Sequence, residues 1–302
     1  MATAGAPGVA TFHHGEFPAA RLAAERELSV SVCLPARDEA ATIGPILDAL
    51  LPLRNAGVVD QVVVVDDSCD ETASIAAARG AEVHRQADLH PGFGPVRGKG
   101  DAMWRALDVL SGDVVCFVDA DTSDLGAHFV CGLVGPLLCG APASFVKGFY
   151  RRPCDTGDGV PKADGGGRVT ELCARPLLAA FYPDLAGVRQ PLAGEIGARR
   201  ELLESLPFTT GYGVDAGLLI DAWERCGPAG VAQVDLDRRQ NRHRPLSELA
   251  PMAAAVADAV LGRLQRSGRL AGSPPGAPAA MGALTPPAVE RPPAASLHPV
   301  PG

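Results

Sequence analysis

The sequence predicts an α/β fold with a doubly wound mixed sheet, and three observations carry that prediction. Short apolar runs rich in Val, Ile and Leu alternate with segments of helical hydrophobic spacing from residue 29 to residue 138. Several runs close on acidic turns, at the strand ends where ligands collect in sheets of this kind. The chain has 302 residues, 47 % of them hydrophobic. That supports one large domain or two small ones, at ~150 residues per domain.

Residues 1–28 are rich in Ala, Gly and His and hold no sustained pattern, so they read as a flexible leader with some helix near 19–27. His13 and His14 belong to that solvated segment rather than to a metal pair. Residues 29–34 form the first strand, stopped by Pro35. Residues 39–53 carry Ile43, Ile46, Leu47, Leu50 and Leu51 at helical spacing. A strand at 61–65, a helix at 71–79 and a strand at 81–85 complete the mononucleotide-binding half of a doubly wound sheet. A Gly- and Pro-rich loop, 88–100, leads into a helix over 101–110. Strand 114–118, helix 126–138 and strand 143–150 follow. Residues 151–167 read as a mobile polar loop, and a helix then runs through Phe181. Residues 188–198 return to the sheet edge. Helices at 201–206 and 216–225, a last strand at 231–236 and a final amphipathic helix at 247–265, N-capped by Ser247, close the ordered part. Residues 267–302 are Pro, Gly and Ala with few large apolar side chains, a composition that predicts a disordered tail. The expected divisions are therefore 1–28, 29–150, 151–266 and 267–302.

Composition narrows the function. A net charge of −8 offers no basic surface for nucleic acid. No apolar run approaches the ~20 residues of a membrane span, and no signal peptide is evident. Eight cysteines occur without a C-x-x-C pair, which speaks against a zinc module and for reduced core thiols in a cytoplasmic protein.

Four stretches carry candidate chemistry. Asp119-Ala120-Asp121 ends a buried strand and sets two carboxylates on one side of an extended backbone. The pair suits either a divalent cation holding phosphate oxygens or a helix cap. Gly98-Lys99-Gly100 puts a lysine at a helix start, beside glycines that let a phosphate approach; an ordinary surface loop is the plain alternative, and the spacing is not that of a P-loop. Gly165–Gly167 before Arg168 and Thr170 makes an anion pocket or a hinge. Residues 238–244 place five cations at the end of a strand in an acidic protein, which favours phosphate over a solvated loop. Asp215 stands at a helix N-terminus, where an acid is favoured by the dipole alone.

Pro35-Ala36-Arg37-Asp38-Glu39, Asp66-Asp67-Ser68, Gly98-Lys99-Gly100 and Asp119-Ala120-Asp121 resemble, in order and spacing, the nucleotide-sugar transferases of the glycosyltransferase-A fold, a Rossmann-like sheet, over roughly 29–150. Phe149–Pro153, Gly165–Glu171, Ala174–Leu178, Gln190–Glu195 and Gly211–Val214 extend the likeness to about residue 266 and make it specific to the glucosyl-3-phosphoglycerate synthases. The resemblance implies transfer of glucose from UDP-glucose to the 2-hydroxyl of 3-phosphoglycerate, with retention, a requirement for Mg²⁺ (or Mn²⁺), a glucosylglycerate precursor as product and a homodimer. It makes 29–150 the nucleotide-sugar-binding half and 151–266 a helical acceptor-binding half. Pro35, Ala36, Arg37, Glu39 and Asp67 then match uracil and ribose contacts, Lys99, Asp119, Ala120, Asp215 and Arg239 other donor contacts, and Gly167, Arg168, Thr170 and His243 the acceptor site. Lys99, Asp121 and Asp215 take the catalytic roles. Asp121 is the metal ligand, completed by His243 or Asn241, because the order Asn241-Arg242-His243 departs from the family's His-Arg-Asn. Asp215 replaces a Glu and reaches one methylene less far.

Three other readings compete. A related transferase would use another donor or acceptor, as in mannosyl-3-phosphoglycerate synthesis from a GDP-sugar. A sugar-1-phosphate nucleotidyltransferase needs a Gly-rich basic loop after the first strand, where this chain has Pro35–Glu39. A non-catalytic binder would hold a nucleotide sugar without turnover.

Overall fold

A computed structural model of the chain describes residues 8–122, 124–152, 166–239, 245–270 and 288–297. The order is β1 (Ala10–His13), α1 (Ala19–Glu25), β2 (Val30–Ala36), α2 (Ile43–Asn55), β3 (Gln61–Asp66), α3 (Thr72–Ala78), β4 (Glu82–Arg85), α4 (Lys99–Ala106), β5 (Val114–Phe117), α5 (Ala127–Leu138) and β6 (Phe145–Arg151). A π-helical turn, Thr170–Ala174, runs into α6 (Arg175–Phe181). Then come β7 (Ile196–Arg199), α7 (Arg200–Ser205), β8 (Phe208–Thr209), α8 (Val214–Cys226), β9 (Val231–Arg238), α9 (Leu246–Arg266) and β10 (Glu290–Arg291).

Eight strands form one sheet in the order β1-β9-β6-β7-β5-β2-β3-β4. Only the two pairings made by β7 are antiparallel, so the sheet is mixed and mostly parallel, as expected. The inner strands β2, β3, β5 and β6 are buried on both faces, which is why they read as near-continuous apolar runs. Side chains still alternate: Val30, Val32, Leu34, Val114 and Cys116 pack under α2 and α5, while Cys33, Val63, Val115 and Phe117 pack under α4 and α8. Each fully buried Val or Leu contributes about 1.5–3 kcal/mol to this sandwich.

Several expectations are corrected. The leader is not flexible throughout. β1 pairs in parallel with β9 from Ala10↔Ala232 to His13↔Asp235, which covers an open sheet edge. Phe17 and Leu22 are buried, and Phe17 lies on Gly135, where a Cβ would sit 2.1 Å from its ring. His13, His14 and His128 stack at ring separations of 4.3 and 4.7 Å. The return at 188–198 enters the sheet interior as β7, between β6 and β5, because Ile196 and Ala198 need cover on both sides. Ser247 does not cap α9; the helix starts at Leu246 behind Pro245, without a side-chain cap. Strand β9 is not the last. Within the tail, residues 288–297 pack back on the body: β10 pairs antiparallel with β8, and Arg291 is buried. Composition alone missed this because the segment is held mainly by one buried arginine and backbone bonds, with Leu297 its one large apolar side chain packed on the core.

Seven cysteines are described, and all are free. Among the described residues no helix is long and apolar enough to cross a membrane.

Candidate active site

The parallel strands point their carboxyl ends to one rim, and the reversed β7 brings its amino end there too. Pro35 and Ala36 of β2, Asp67 after β3, Asp119–Asp121 after β5, Arg152 after β6 and Arg239 after β9 line a single cavity of about 520 Å³ together with Gly166–Thr170. Arg37, Glu39, Lys99 and Asp215 also line it. Every candidate residue within the described set thus meets in one cavity. Asn241, His243 and Gly165 lie outside the described residues, as do 153–164.

The floor is a charge network. Lys99 Nζ lies 2.7 Å from Asp119 Oδ1 and 3.2 Å from Asp215 Oδ2. Lys147 Nζ approaches the other oxygen of Asp215 at 3.4 Å. The Arg239 guanidinium reaches Asp119 Oδ2 at 3.2 Å and Asp121 Oδ1 at 2.7 Å, and it also pairs with Glu195. Tyr150 donates its hydroxyl to Glu195 Oε2 at 2.8 Å and accepts from Arg239 at 2.8 Å and Arg152 at 2.9 Å. Arg239, Lys147 and Glu195 are fully buried, so each depends on these partners for its charge.

Local sequence explains the geometry. Asp119 and Asp121 follow the buried strand β5, and Thr42, at the mouth of α2, donates to the carbonyl of Ala120 at 2.6 Å, fixing the turn between them. Gly194 permits the Lys99–Asp119 pair: a Cβ there would sit 2.1 Å from Asp119 Oδ1 and 2.3 Å from Lys99 Nζ. Gly167 has φ +77°, a left-handed turn that starts the helical segment bearing Arg168 and the buried Thr170.

Electrostatics follow the pairing. Burial pushes Asp119 upward, but Lys99 and Arg239 together overcome it and hold the carboxyl well below its usual range. Burial likewise disfavours the Lys99 ammonium, yet Asp119 and Asp215 outweigh it and keep the lysine charged. Lys147 is lowered by burial, with Asp215 opposing. Burial raises Glu195 against the pull of Arg239, and raises the Tyr150 phenol to about 12, so Tyr150 stays a neutral donor. Four carboxylates (Asp119, Asp121, Glu195 and Asp215) face three cations.

Asp121 is the outermost acid, its side chain 43 % exposed. No cluster of three His, Cys, Asp or Glu with metal-site geometry occurs among the described residues. A hard divalent cation nevertheless fits: Mg²⁺ characteristically takes one or two carboxylates and completes its shell from substrate phosphates and water, and the half-exposed Asp121 offers an oxygen to the cavity.

Glu195, at the end of the Gln190–Glu195 stretch, does not line the cavity; it is sealed beneath Arg239 and Tyr150. Sequence reasoning missed Lys147, Gln86, Leu249 and Met252 at or around the site. Lys147 carried a usable signal, a lone charge inside the apolar strand 145–150, which demands a buried partner. Leu249 and Met252 come from α9 and carried none, because their apolar spacing is equally that of a core-facing helix.

The chain matches Glycosyl transferase family 2 over residues 31–194. It is 50 % identical over 246 residues to the glucosyl-3-phosphoglycerate synthase of Mycobacterium tuberculosis, covering 80 % of this chain and 75 % of the relative. A crystal structure of mannosyl-3-phosphoglycerate synthase from Rubrobacter xylanophilus superposes with a TM-score of 0.84 at 43 % identity, covering 95 % of this chain and 96 % of that one. The M. tuberculosis enzyme in complex with Mn²⁺, UDP-glucose and phosphoglyceric acid superposes with a TM-score of 0.78 at 42 % identity, covering 97 % and 100 %. Another crystal of that enzyme contains Mg²⁺ and UDP.

Proposed function

Because the chain belongs to Glycosyl transferase family 2 and shares half its residues with glucosyl-3-phosphoglycerate synthases over most of its length, it is a glycosyltransferase, and we propose that it moves glucose from UDP-glucose to the 2-hydroxyl of 3-phosphoglycerate with retention of configuration. The observation that carries this reading is the single cavity, lined both by the Asp119–Asp121 acid rim and by the Gly166–Thr170 turn. The uridine end falls to Pro35, Ala36, Arg37, Glu39 and Asp67. Asp121, with Asn241 or His243, holds Mg²⁺ or Mn²⁺. When bound, the cation supplies Lewis acidity toward the departing diphosphate.

The chain's own residues then have separable tasks. Lys99, held charged by Asp119 and Asp215, offsets negative charge that develops on the leaving group. Arg239 locks the two aspartates in place. Asp215, bracketed by two lysines, receives the sugar hydroxyls. Its carboxylate is engaged on both oxygens, which makes it a poor covalent nucleophile. Glu195 is sealed off. Front-face transfer, in which the departing phosphate oxygen takes the acceptor proton, needs no protein nucleophile and rests on positioning. Arg168 and the amides of the Gly166–Gly167 turn hold the acceptor's phosphate or carboxylate.

The likeness to a mannosyl-3-phosphoglycerate synthase favours a second reading, a GDP-mannose donor at the same site. Incubation with Mg²⁺, 3-phosphoglycerate and a panel of UDP- and GDP-sugars, with products weighed by mass spectrometry, separates the two. Glucosyl-3-phosphoglycerate formed chiefly from UDP-glucose supports the first reading; a product from GDP-mannose alone overturns it. We place the reaction in the cytoplasm, in keeping with seven unpaired thiols. We also infer a homodimer, which light scattering checks; a monomer would contradict it. The apolar face of α9 does not supply that interface by itself, since Val260 and Leu264 are buried against α8.

A further inference from the structure

Residues 288–297 bind two walls of the cavity that already pack on each other, since a Cβ on Gly98 would lie 3.6 Å from Gly211 Cα and one on Gly100 2.0 Å from Thr209 O. One wall is the turn before α4, which presents Gly98 and Lys99. The other is the turn after β8, which presents Gly211 and Tyr212. On the β8 side, Thr210 N donates to Val289 O and Val289 N to Thr210 Oγ1, both at 2.9 Å, and Glu290 pairs with Thr209 in the ladder. On the α4 side, Arg291 Nε donates to Asp101 Oδ1 at 2.7 Å and Arg291 Nη1 to Phe93 O at 2.9 Å, while the Trp104 indole donates to Pro292 O at 2.7 Å.

Asp101 is the junction. Its carboxylate is wholly buried in the first turn of α4. Its second oxygen accepts from the Arg97 amide at 2.9 Å and from Arg105 Nε at 3.0 Å, and from cavity-lining Gln86 at 3.4 Å. The Arg97 bond closes the turn through Gly98 that aims Lys99. Arg291 therefore grips the carboxylate that shapes the lysine turn, from a two-residue strand that also grips the opposite wall.

We propose that Arg291 is a positioning residue for the donor side of the cavity, acting through Asp101 on Lys99, and that 288–297 serves as a strap bracing the packed Lys99 and Tyr212 turns. A buried guanidinium with two fixed acceptors suits this task, because its planar fork holds orientation as well as charge. The strap's hydrogen bonds to the cavity walls go to the turn after β8 and to α4 with the loop before it, so its effect is expected on the donor. This assignment rests on the donor end proposed above.

Calorimetric titration of UDP-glucose in the presence of Mg²⁺, beside steady-state kinetics, tests it on the full chain. Wild-type binding tests the donor assignment itself: no binding would sink that reading rather than the strap. Given wild-type binding, Arg291→Ala is expected to weaken UDP-glucose about tenfold and raise its KM in step, with the 3-phosphoglycerate KM changed less than about twofold. Arg291→Lys restores part of the loss, and Trp104→Phe, which removes the bond to Pro292 and trims the ring beside Arg291, weakens the donor by about two- to threefold. Ser296→Ala, on the same strap but exposed, leaves both constants unchanged. Unaltered donor affinity in a folded Arg291→Ala protein overturns the proposal. So does an equal rise in both KM values, which is the mark of a merely structural role. Should Arg291→Ala fail to fold, the same two criteria apply to Arg291→Lys and Trp104→Phe.

Discussion

Gly194 is where the site is least forgiving. Any side chain there must enter the 2.7 Å gap between Lys99 and Asp119. Gly194→Ala is expected to reduce kcat/KM by about 10²-fold through separation of that pair, more than its effect on melting temperature would suggest. Lys99→Met removes the charge itself and should cost about 10²–10³-fold in kcat, with Lys99→Arg intermediate; steady-state kinetics checks both. The acids and basic residues of the rim were legible in sequence because each sits at a strand end or beside glycines, where chemistry of this type has a local signature. Lys147 and the true position of Glu195 were not, because both depend on what crosses above a strand. A carboxylate in a Gly-Glu pair looks exposed until Arg239 and Tyr150, 44 and 45 residues away in sequence, close over it.

At the scale of elements, periodicity located nearly every helix and strand of the main sheet, since runs such as Val62–Val65 and Ile43–Leu53 bury apolar stripes that repeat in the chain. It failed where a neighbour rather than a pattern makes the element. β1 exists because β9 has an open edge, and β10 because β8 and Asp101 need partners. β7 reverses direction inside a parallel sheet, which no spacing announces. The docked leader has two checkable consequences. Gly135→Val drives a side chain into the Phe17 ring and should lower the melting temperature by several degrees in a thermal scan, with overpacking costing about 1–3 kcal/mol. Arg26, just past α1, pairs with Asp60, which also accepts from Val30 N at 2.7 Å. The bond to Arg26 lowers the Asp60 carboxyl below its ordinary value, against a small upward push from burial. Stability from this lowered acid is present above its unfolded pKa of about 3.9 and is lost as pH falls through the folded value. The melting difference between wild type and Asp60→Asn should therefore be full near neutrality and shrink below about pH 4; a difference that grows in acid would reverse the assignment.

Seen whole, the molecule lines one cavity with an acidic rim and a basic turn and closes its floor with a buried ion network. A net charge of −8 makes the local cations at Lys99, Arg168 and Arg239 the means of meeting phosphate-bearing substrates. Removal of divalent cations with a chelator is expected to abolish transfer, and Mg²⁺ or Mn²⁺ to restore it; activity that survives exhaustive chelation would contradict the role given to Asp121. The central claim, that one cavity holds donor and acceptor on separate sets of residues, is tested most directly by Arg168→Ala. With UDP-glucose affinity measured by calorimetry and glucosyl transfer to 3-phosphoglycerate measured by mass, the variant should bind the donor as wild type does while transfer falls about 10²-fold or more through the acceptor KM. Wild-type transfer, or a loss of UDP-glucose binding equal to the loss of transfer, would contradict it.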